Sequence, residues 1–252
     1  MDQITACVAG GHLCEKLCRV GAVNQAYFPD LHDDLVLFST CYQADLDAVS
    51  YYQNKGVLLP SSLMKARSKR QAEYLAGRYC AREGLKALGS SKCFVPTNKD
   101  RSPCWPVGYI GSITHSNGLA LAIVGEIHQF RAIGIDAEEI VPAERAERLS
   151  KAVLLPDDLK LQESMGLPFD WFFTLVFSAK ESLFKLLYPE VGRFFGFDAA
   201  VMKELDTVNQ TFTVMLTEDL AAGLSAGSQY FGQYMAVGGY LITLMLMDKK
   251  TN

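Results

Sequence analysis

Neither sign of charge dominates this chain: 28 acidic residues stand against 24 basic ones, a formal net charge of -4. It therefore lacks the basic excess with which proteins engage nucleic acid broadly, and its lysines and arginines matter only where they converge. Long apolar runs are missing too. The longest, such as residues 239–247, fall far short of the roughly 20 residues of a membrane-spanning helix. The N-terminal MDQITACVAGGHLC has neither the basic region nor the long apolar region of a signal peptide. The seven cysteines (Cys7, Cys14, Cys18, Cys41, Cys80, Cys93, Cys104) are widely spaced, without a C-x-x-C pair or a histidine at ligand spacing. That argues against a zinc site or a disulfide framework. A soluble, reduced, cytoplasmic protein with no stable membrane insertion is expected. Also absent are a G-x-x-x-x-G-K-[ST] loop, a G-x-G-x-x-G fingerprint and a G-x-S-x-G elbow, which disfavours the common nucleotide-binding and hydrolase folds.

What is present is a globular composition, 49% hydrophobic and 21% charged over 252 residues, enough for one large domain or two halves. Alternating apolar runs over Ala6 to Gln43 suggest strands. "SKRQAEYLAGRYCAREGLKAL" (68–88) has helical spacing and a stop at Gly89. "YIGSITHSNGLALAIVG" reads as two strands joined at Ser116-Asn117-Gly118, and 133–138 as a further strand. Short helices over 142–165 precede "DWFFTLVFSAKESLFKLLYP", a helix capped by Asp170 and halted before Pro189. "TFTVML", "QYFGQYMAV" and "YLITLMLM" return to strand character. The order describes an α/β (α+β) protein, with an N-terminal half over 1–130 and a C-terminal half over 131–252.

Three constellations carry chemistry. In "IGIDAEE", Asp136 and Glu138 share one strand face while Ala137 points away. Two carboxylates about 7 Å apart along a strand suit a hard cation such as Mg²⁺, which keeps waters and takes other ligands from a phosphate substrate. Solvated acids at a turn would read the same. In "FSAKESLFK", Trp171, Thr174, Ser178, Glu181, Ser182 and Lys185 fall on one polar stripe, and Lys180 falls among apolar residues on the other side. Glu181 and Lys185 are equally compatible with a plain surface i,i+4 pair. In "GSITHS", Thr114 and His115 end a strand, where a histidine can donate to phosphate or simply hydrogen-bond to backbone. Arg70 and Arg78, about 12 Å apart along one helix, could touch one extended anion.

In their order, "KRQAEYLAGR", "SPCWPVGYIGSITHS", "GIDAE" and "FSAKESLFKLLYP" resemble the 4'-phosphopantetheinyl transferases, specifically the enterobactin synthetase component D branch of the Sfp-like group. The likeness spans roughly residues 65 to 200. It implies a pseudo-twofold pair of similar halves holding coenzyme A and Mg²⁺, or Mn²⁺, in a cleft. The implied reaction moves 4'-phosphopantetheine from coenzyme A to a serine of an acyl, aryl or peptidyl carrier protein, releasing adenosine 3',5'-bisphosphate. By motif, Asp136, Glu138 and the Ala137 carbonyl would hold the metal, and Glu181 would complete that site or act as base. Arg70, Arg78, Thr114, His115 and Lys180 would contact coenzyme A, with Lys185 on its diphosphate. Asn98, Lys99 and Arg101 would reach the nucleotide, and Phe194 would wall the pantetheine arm. Siderophore or other nonribosomal-peptide synthesis and a monomeric state are implied as well. A non-catalytic coenzyme A or carrier-protein binder and a Mg²⁺-dependent nucleotide pyrophosphatase are the competing readings.

Overall fold

Both faces of β1 (Val36–Cys41) are buried in the computed structural model, which describes Phe28 and residues 31–249. The rest of the strand character expected before residue 31 lies outside the described residues. Asp45 caps α1 (Leu46–Asn54), its Oδ1 accepting from the Ala48 amide at 2.9 Å. The predicted long helix is α2 (Ser68–Ala87), which buries Ala72, Leu75, Ala76, Tyr79, Cys80 and Leu85. It ends just before Gly89, whose φ of 76° is the left-handed conformation that stops helices. The SNG turn joins β2 (Tyr109–Ser116) to β3 (Leu119–Glu126), with Asn117 and Gly118 both at positive φ. The three strands lie in the order β1-β3-β2, and β1 pairs antiparallel with β3. Their core is the face of α2 set against Phe38, Tyr52, Ala122 and Val124.

The chain divides into units at 125/126, where the sequence placed the division at 130/131. The second unit repeats the plan at larger size. It opens on β4 (Phe130–Glu139), passes through α3 (Ala143–Val153), α4 (Pro156–Met165) and α5 (Phe169–Val191), then returns through β5 (Ala200–Asp206), β6 (Thr211–Leu216), β7 (Gln229–Val237) and β8 (Tyr240–Asp248). The sheet order is β4-β8-β7-β6-β5, antiparallel throughout. In each unit the first strand pairs with the last, and the remaining strands follow outward through hairpins. Helices lie between the first strand and the others, so the fold is of the mixed helix and sheet class expected.

Helix α5 departs from its expected limits. Pro168 occupies the cap position and Asp170 lies two residues inside it, in the first turn, accepting from the Trp171 amide at 2.9 Å. At the other end the helix runs through Pro189 to Val191 and stops at Gly192, φ 64°, whose amide donates to the Tyr188 carbonyl at 2.9 Å. A proline in the last turn costs little, because the chain needs only a left-handed residue beyond it to end the helix. Among the described cysteines, Cys80, Cys93 and Cys104 are free thiols and Cys41 is disulfide-bonded, a pairing that the cysteine spacing does not signal. No described helix is long and apolar enough to cross a membrane.

Candidate active site

The geometry of the second unit starts from a residue without a side chain. A methyl group on Gly134 of β4 would sit 2.0 Å from the Ser182 carbonyl oxygen and 2.9 Å from the Leu186 nitrogen. Helix α5 therefore lies directly on the strand, closer than any other residue at 134 would permit. Two steps along the same face comes Asp136, only 3% exposed. Lys185 Nζ donates to Asp136 Oδ1 at 2.7 Å and to the Ile135 carbonyl at 3.0 Å. Lys185 thus bonds across to the strand, and the plain i,i+4 surface pair with Glu181 is not what forms.

Glu181 is half-buried one turn before Lys185. Burial, and then the neighbouring Asp136 carboxylate, raise its proton affinity above the ordinary carboxyl range, while Lys185 opposes them in part. Ala137 is fully buried, Glu138 half-buried and Glu139 exposed, so burial falls off along the end of the strand. Among the described residues no group of three His, Cys, Asp or Glu side chains is drawn together as a metal cage. The donor chemistry nonetheless fits a hard cation. Two hard oxygen ligands, Asp136 and Glu181, lie close enough to repel, and a cation relieves that repulsion while water and substrate oxygens supply its other ligands.

The expected polar stripe of α5 is partly buried: Trp171, Glu181 and Lys185 are half-buried. Thr174, Ser178 and Ser182 are fully buried, as is Thr243 of β8. Thr243 Oγ1 lies 2.9 Å from Ser178 Oγ and 2.7 Å from Ser182 Oγ, and Ser182 Oγ donates to the Thr243 carbonyl at 3.0 Å. These hydroxyls satisfy one another, which removes the cost of burying them. Sequence reasoning missed Thr243. Its signal was a single hydroxyl in the apolar run "YLITLMLM", matched by two serines one helical turn apart.

In the first unit, Arg70 Nη1 lies 3.0 Å from His115 Nε2 and 3.4 Å from Glu73 Oε2. The guanidinium can only donate, so Nε2 accepts in this bond. Arg78, two turns on, donates to Thr97 Oγ1 at 3.2 Å and stacks 4.8 Å from the Tyr74 ring centre. Its Nε is buried with no hydrogen-bond partner, and desolvation lowers its proton affinity. A buried donor in that state is suited to an anion. Arg78 also lines a cavity of about 240 Å³ with Gly56, Val57, Arg82, Cys93, Phe94 and Val95.

The loop beyond forms a small hairpin. Thr97 bridges Pro103, Asn98 Nδ2 donates to Ser102 Oγ at 3.0 Å, and Arg101 holds a φ of 73°. Asn98, Lys99 and Arg101 are all exposed. Thr114 is buried and, one residue from His115, belongs to the opposite face of β2, so it is not brought together with Arg70 and His115. Phe194 is 76% exposed and packs on Phe184 at a ring distance of 5.6 Å.

Lys180 leaves the ligand set. The sequence placed it on coenzyme A, yet it neither snorkels nor reaches round the helix. Its Nζ is buried against Asp158 Oδ2 at 2.8 Å and the Val153 carbonyl at 2.7 Å. Asp158 also accepts from the Leu155 amide at 2.8 Å and the Met202 amide at 2.7 Å, joining α3, α4, α5 and β5. Burial lowers the Lys180 proton affinity and Asp158 raises it. Removing one partner strands the other charge in the core, so Asp158→Ala should destabilise the protein by about 3–5 kcal/mol. Urea unfolding checks this, and a midpoint equal to wild type would refute it.

Comparison with known proteins gives the family. Residues 59–125 match the model of the 4'-phosphopantetheinyl transferase N-terminal domain, and residues 132–244 match that of the 4'-phosphopantetheinyl transferase superfamily. The first match takes in Arg70, Arg78 and His115, the second Asp136, Glu181 and Lys185. Enterobactin synthase component D of Salmonella typhi is 32% identical over 80% of this chain and 83% of that protein. The same-named protein of Salmonella typhimurium is 37% identical over 64% and 67%. 4'-phosphopantetheinyl transferase PptT of Mycobacterium tuberculosis is 32% identical over 70% and 79%. The two units together define a group-transfer enzyme. The chain belongs to the 4'-phosphopantetheinyl transferases.

Proposed function

We propose that this enzyme transfers the 4'-phosphopantetheine of coenzyme A to a serine hydroxyl of an acyl, aryl or peptidyl carrier protein, in a Mg²⁺-dependent reaction that releases adenosine 3',5'-bisphosphate. The observation that carries this reading is the Lys185 to Asp136 contact beside Glu181, a cation and two carboxylates gathered at one half-buried place. A hard divalent cation held by Asp136, Glu138, Glu181 and the Ala137 carbonyl would neutralise charge on the diphosphate. Such a transfer needs positioning and charge neutralisation more than covalent help from the protein. Arg70, Arg78 and His115 receive the phosphates of coenzyme A. The buried Nε of Arg78 supports this for that residue. Lys185 donates to a diphosphate oxygen. Asn98, Lys99 and Arg101 serve the nucleotide end, and Phe194 lies along the pantetheine arm.

The serine oxygen forms a bond to phosphorus as the diphosphate P–O bond breaks, and the bisphosphate leaves with the electron pair. Glu181 takes the serine proton, a role supported by its raised proton affinity. The enterobactin synthases among the relatives support service in siderophore or other nonribosomal-peptide synthesis.

Incubation of the protein with apo carrier proteins, coenzyme A and Mg²⁺, followed by intact-mass spectrometry, tests the proposal. The carrier should gain one phosphopantetheine on a serine. An unchanged carrier mass would mean a binder, and coenzyme A cleaved without carrier would mean a pyrophosphatase. Asp136→Ala should lower labelling at least about 100-fold while circular dichroism stays unchanged.

A further inference from the structure

We propose that Thr243 is a positioning residue of the active site: with Ser178 and Ser182 it forms a buried hydroxyl chain that fixes where α5 sits on the sheet, holding Glu181 and Lys185 at Asp136. The inference rests on the reading of Asp136, Glu138 and Glu181 as cation ligands.

Register carries the first part of the argument. Thr243 of β8 is the cross-strand partner of Asp136 on β4. Residues directly opposite in an antiparallel pair project to the same face, and Asp136 reaches Lys185 on α5 from that face. Thr243 meets the same helix at Ser178 and Ser182, which bracket Glu181. One residue of β8 thus joins the strand that carries Asp136 to the helical turn that carries Glu181.

Proton counting supplies the second part. Each hydroxyl has one proton to give. Ser178 donating to Thr243 Oγ1, Thr243 donating to Ser182 Oγ and Ser182 donating to the Thr243 carbonyl accounts for all three contacts with no proton used twice. The chain is complete within itself and fully buried. The surrounding contacts of α5, from Leu175, Leu183 and Leu186, are apolar and non-directional, and they tolerate small slides and rotations of a helix. Hydrogen bonds of 2.7–3.0 Å do not. Gly134 sets how closely α5 approaches, and the hydroxyl chain sets where along and around its axis it stops.

A merely structural role and a positioning role separate in the triple variant Ser178→Ala/Ser182→Ala/Thr243→Val. It removes every hydroxyl of the chain and leaves none unsatisfied, so its melting temperature should stay within about 3 °C of wild type. Mn²⁺ is the probe, titrated in the presence of coenzyme A and followed by the paramagnetic resonance signal of the free ion. Positioning predicts affinity weakened about 10-fold, the loss usual when groups that orient metal ligands are removed. Mn²⁺ affinity within 2-fold of wild type would overturn the inference. If the triple variant does not fold, Thr243→Ser and Thr243→Val decide it: affinity kept by the serine and lost by the valine supports positioning, and equal affinity refutes it. Asp136→Ala is the control for the cation reading itself. Wild type that binds Mn²⁺ no better than this control overturns that reading and the inference with it, whereas a normal wild type with an unaffected triple variant overturns only the role of Thr243.

Discussion

Gly134→Ala is expected to lower the melting temperature by about 10 °C and to abolish transfer together, although the substitution adds one methyl group to a residue that touches no substrate. The new carbon would lie 2.0 Å from the Ser182 carbonyl oxygen, and that neighbour is helix backbone, which cannot rotate away as a side chain can. Relief requires α5 to lift from β4 along its buried length. Overpacking of this kind costs about 3 kcal/mol, and more where backbone must move, which for a chain of this size is about 10 °C. The same lift breaks the site. Lys185 meets Asp136 at 2.7 Å, and a displacement of about 1 Å at reacting groups lowers rates by roughly 100-fold. Differential scanning calorimetry and carrier labelling measure the two effects. A variant with wild-type melting and wild-type rate would show that α5 is not held by its contact with β4.

How much of this was legible in the sequence depends on the kind of information each residue carries. Periodicity placed α2 and α5 because their buried faces repeat at helical spacing, and the NG turn placed β2 and β3 because two positive φ values select those residues. Both are local signals. The alternation of Asp136 and Glu138 with Ala137 and Glu139 was local as well, but the burial of the four does not follow it: Asp136 and Ala137 are both buried, Glu138 is half-buried and Glu139 is exposed, as the strand runs out of the core. Lys180 was different. A helical wheel shows that it leaves the polar stripe, but its partner Asp158 is 22 positions back on another helix, and no spacing rule links them. The partner of the polar stripe of α5 was out of reach for the same reason, since nothing local to Ser178 and Ser182 points to Thr243 on β8. α1 and β5 escaped notice because their buried apolar residues are few: α1 buries only Val49 and Tyr52, and β5 buries only its first three residues before turning exposed. Motif resemblance succeeded where local chemistry was ambiguous, because order along the chain carries more information than any one acidic pair or histidine.

Glu181→Gln should lose transfer while gaining stability, a pairing that distinguishes a functional carboxylate from a structural one. Glutamine keeps the size of the side chain, but it cannot accept the serine proton or bring a charge to a cation. Removal of a general base lowers turnover by about 100-fold or more. Stability moves the other way. The carboxyl of Glu181 binds its proton more tightly in the folded protein than in the unfolded chain, because burial and the Asp136 carboxylate both disfavour its charge. At neutral pH the ionised side chain therefore works against folding, and the stabilising contribution of its protonated form is lost as pH rises through the folded pKa. The neutral glutamine escapes this penalty. In the absence of added Mg²⁺ the variant should melt about 2 °C above wild type at pH 7.5. The gap should close as pH falls below the ordinary carboxyl range, where Glu181 is protonated in both folded and unfolded states. Mg²⁺ and coenzyme A together should reverse the order at pH 7.5, raising the melting temperature of wild type more than that of the variant, since a ligand stabilises in proportion to its preference for the folded site. An active Glu181→Gln enzyme would remove Glu181 from the reaction. An inactive one that melts below wild type at pH 7.5 without Mg²⁺ would mean that this carboxylate holds the fold together, and the assignment of the proton would pass to another group.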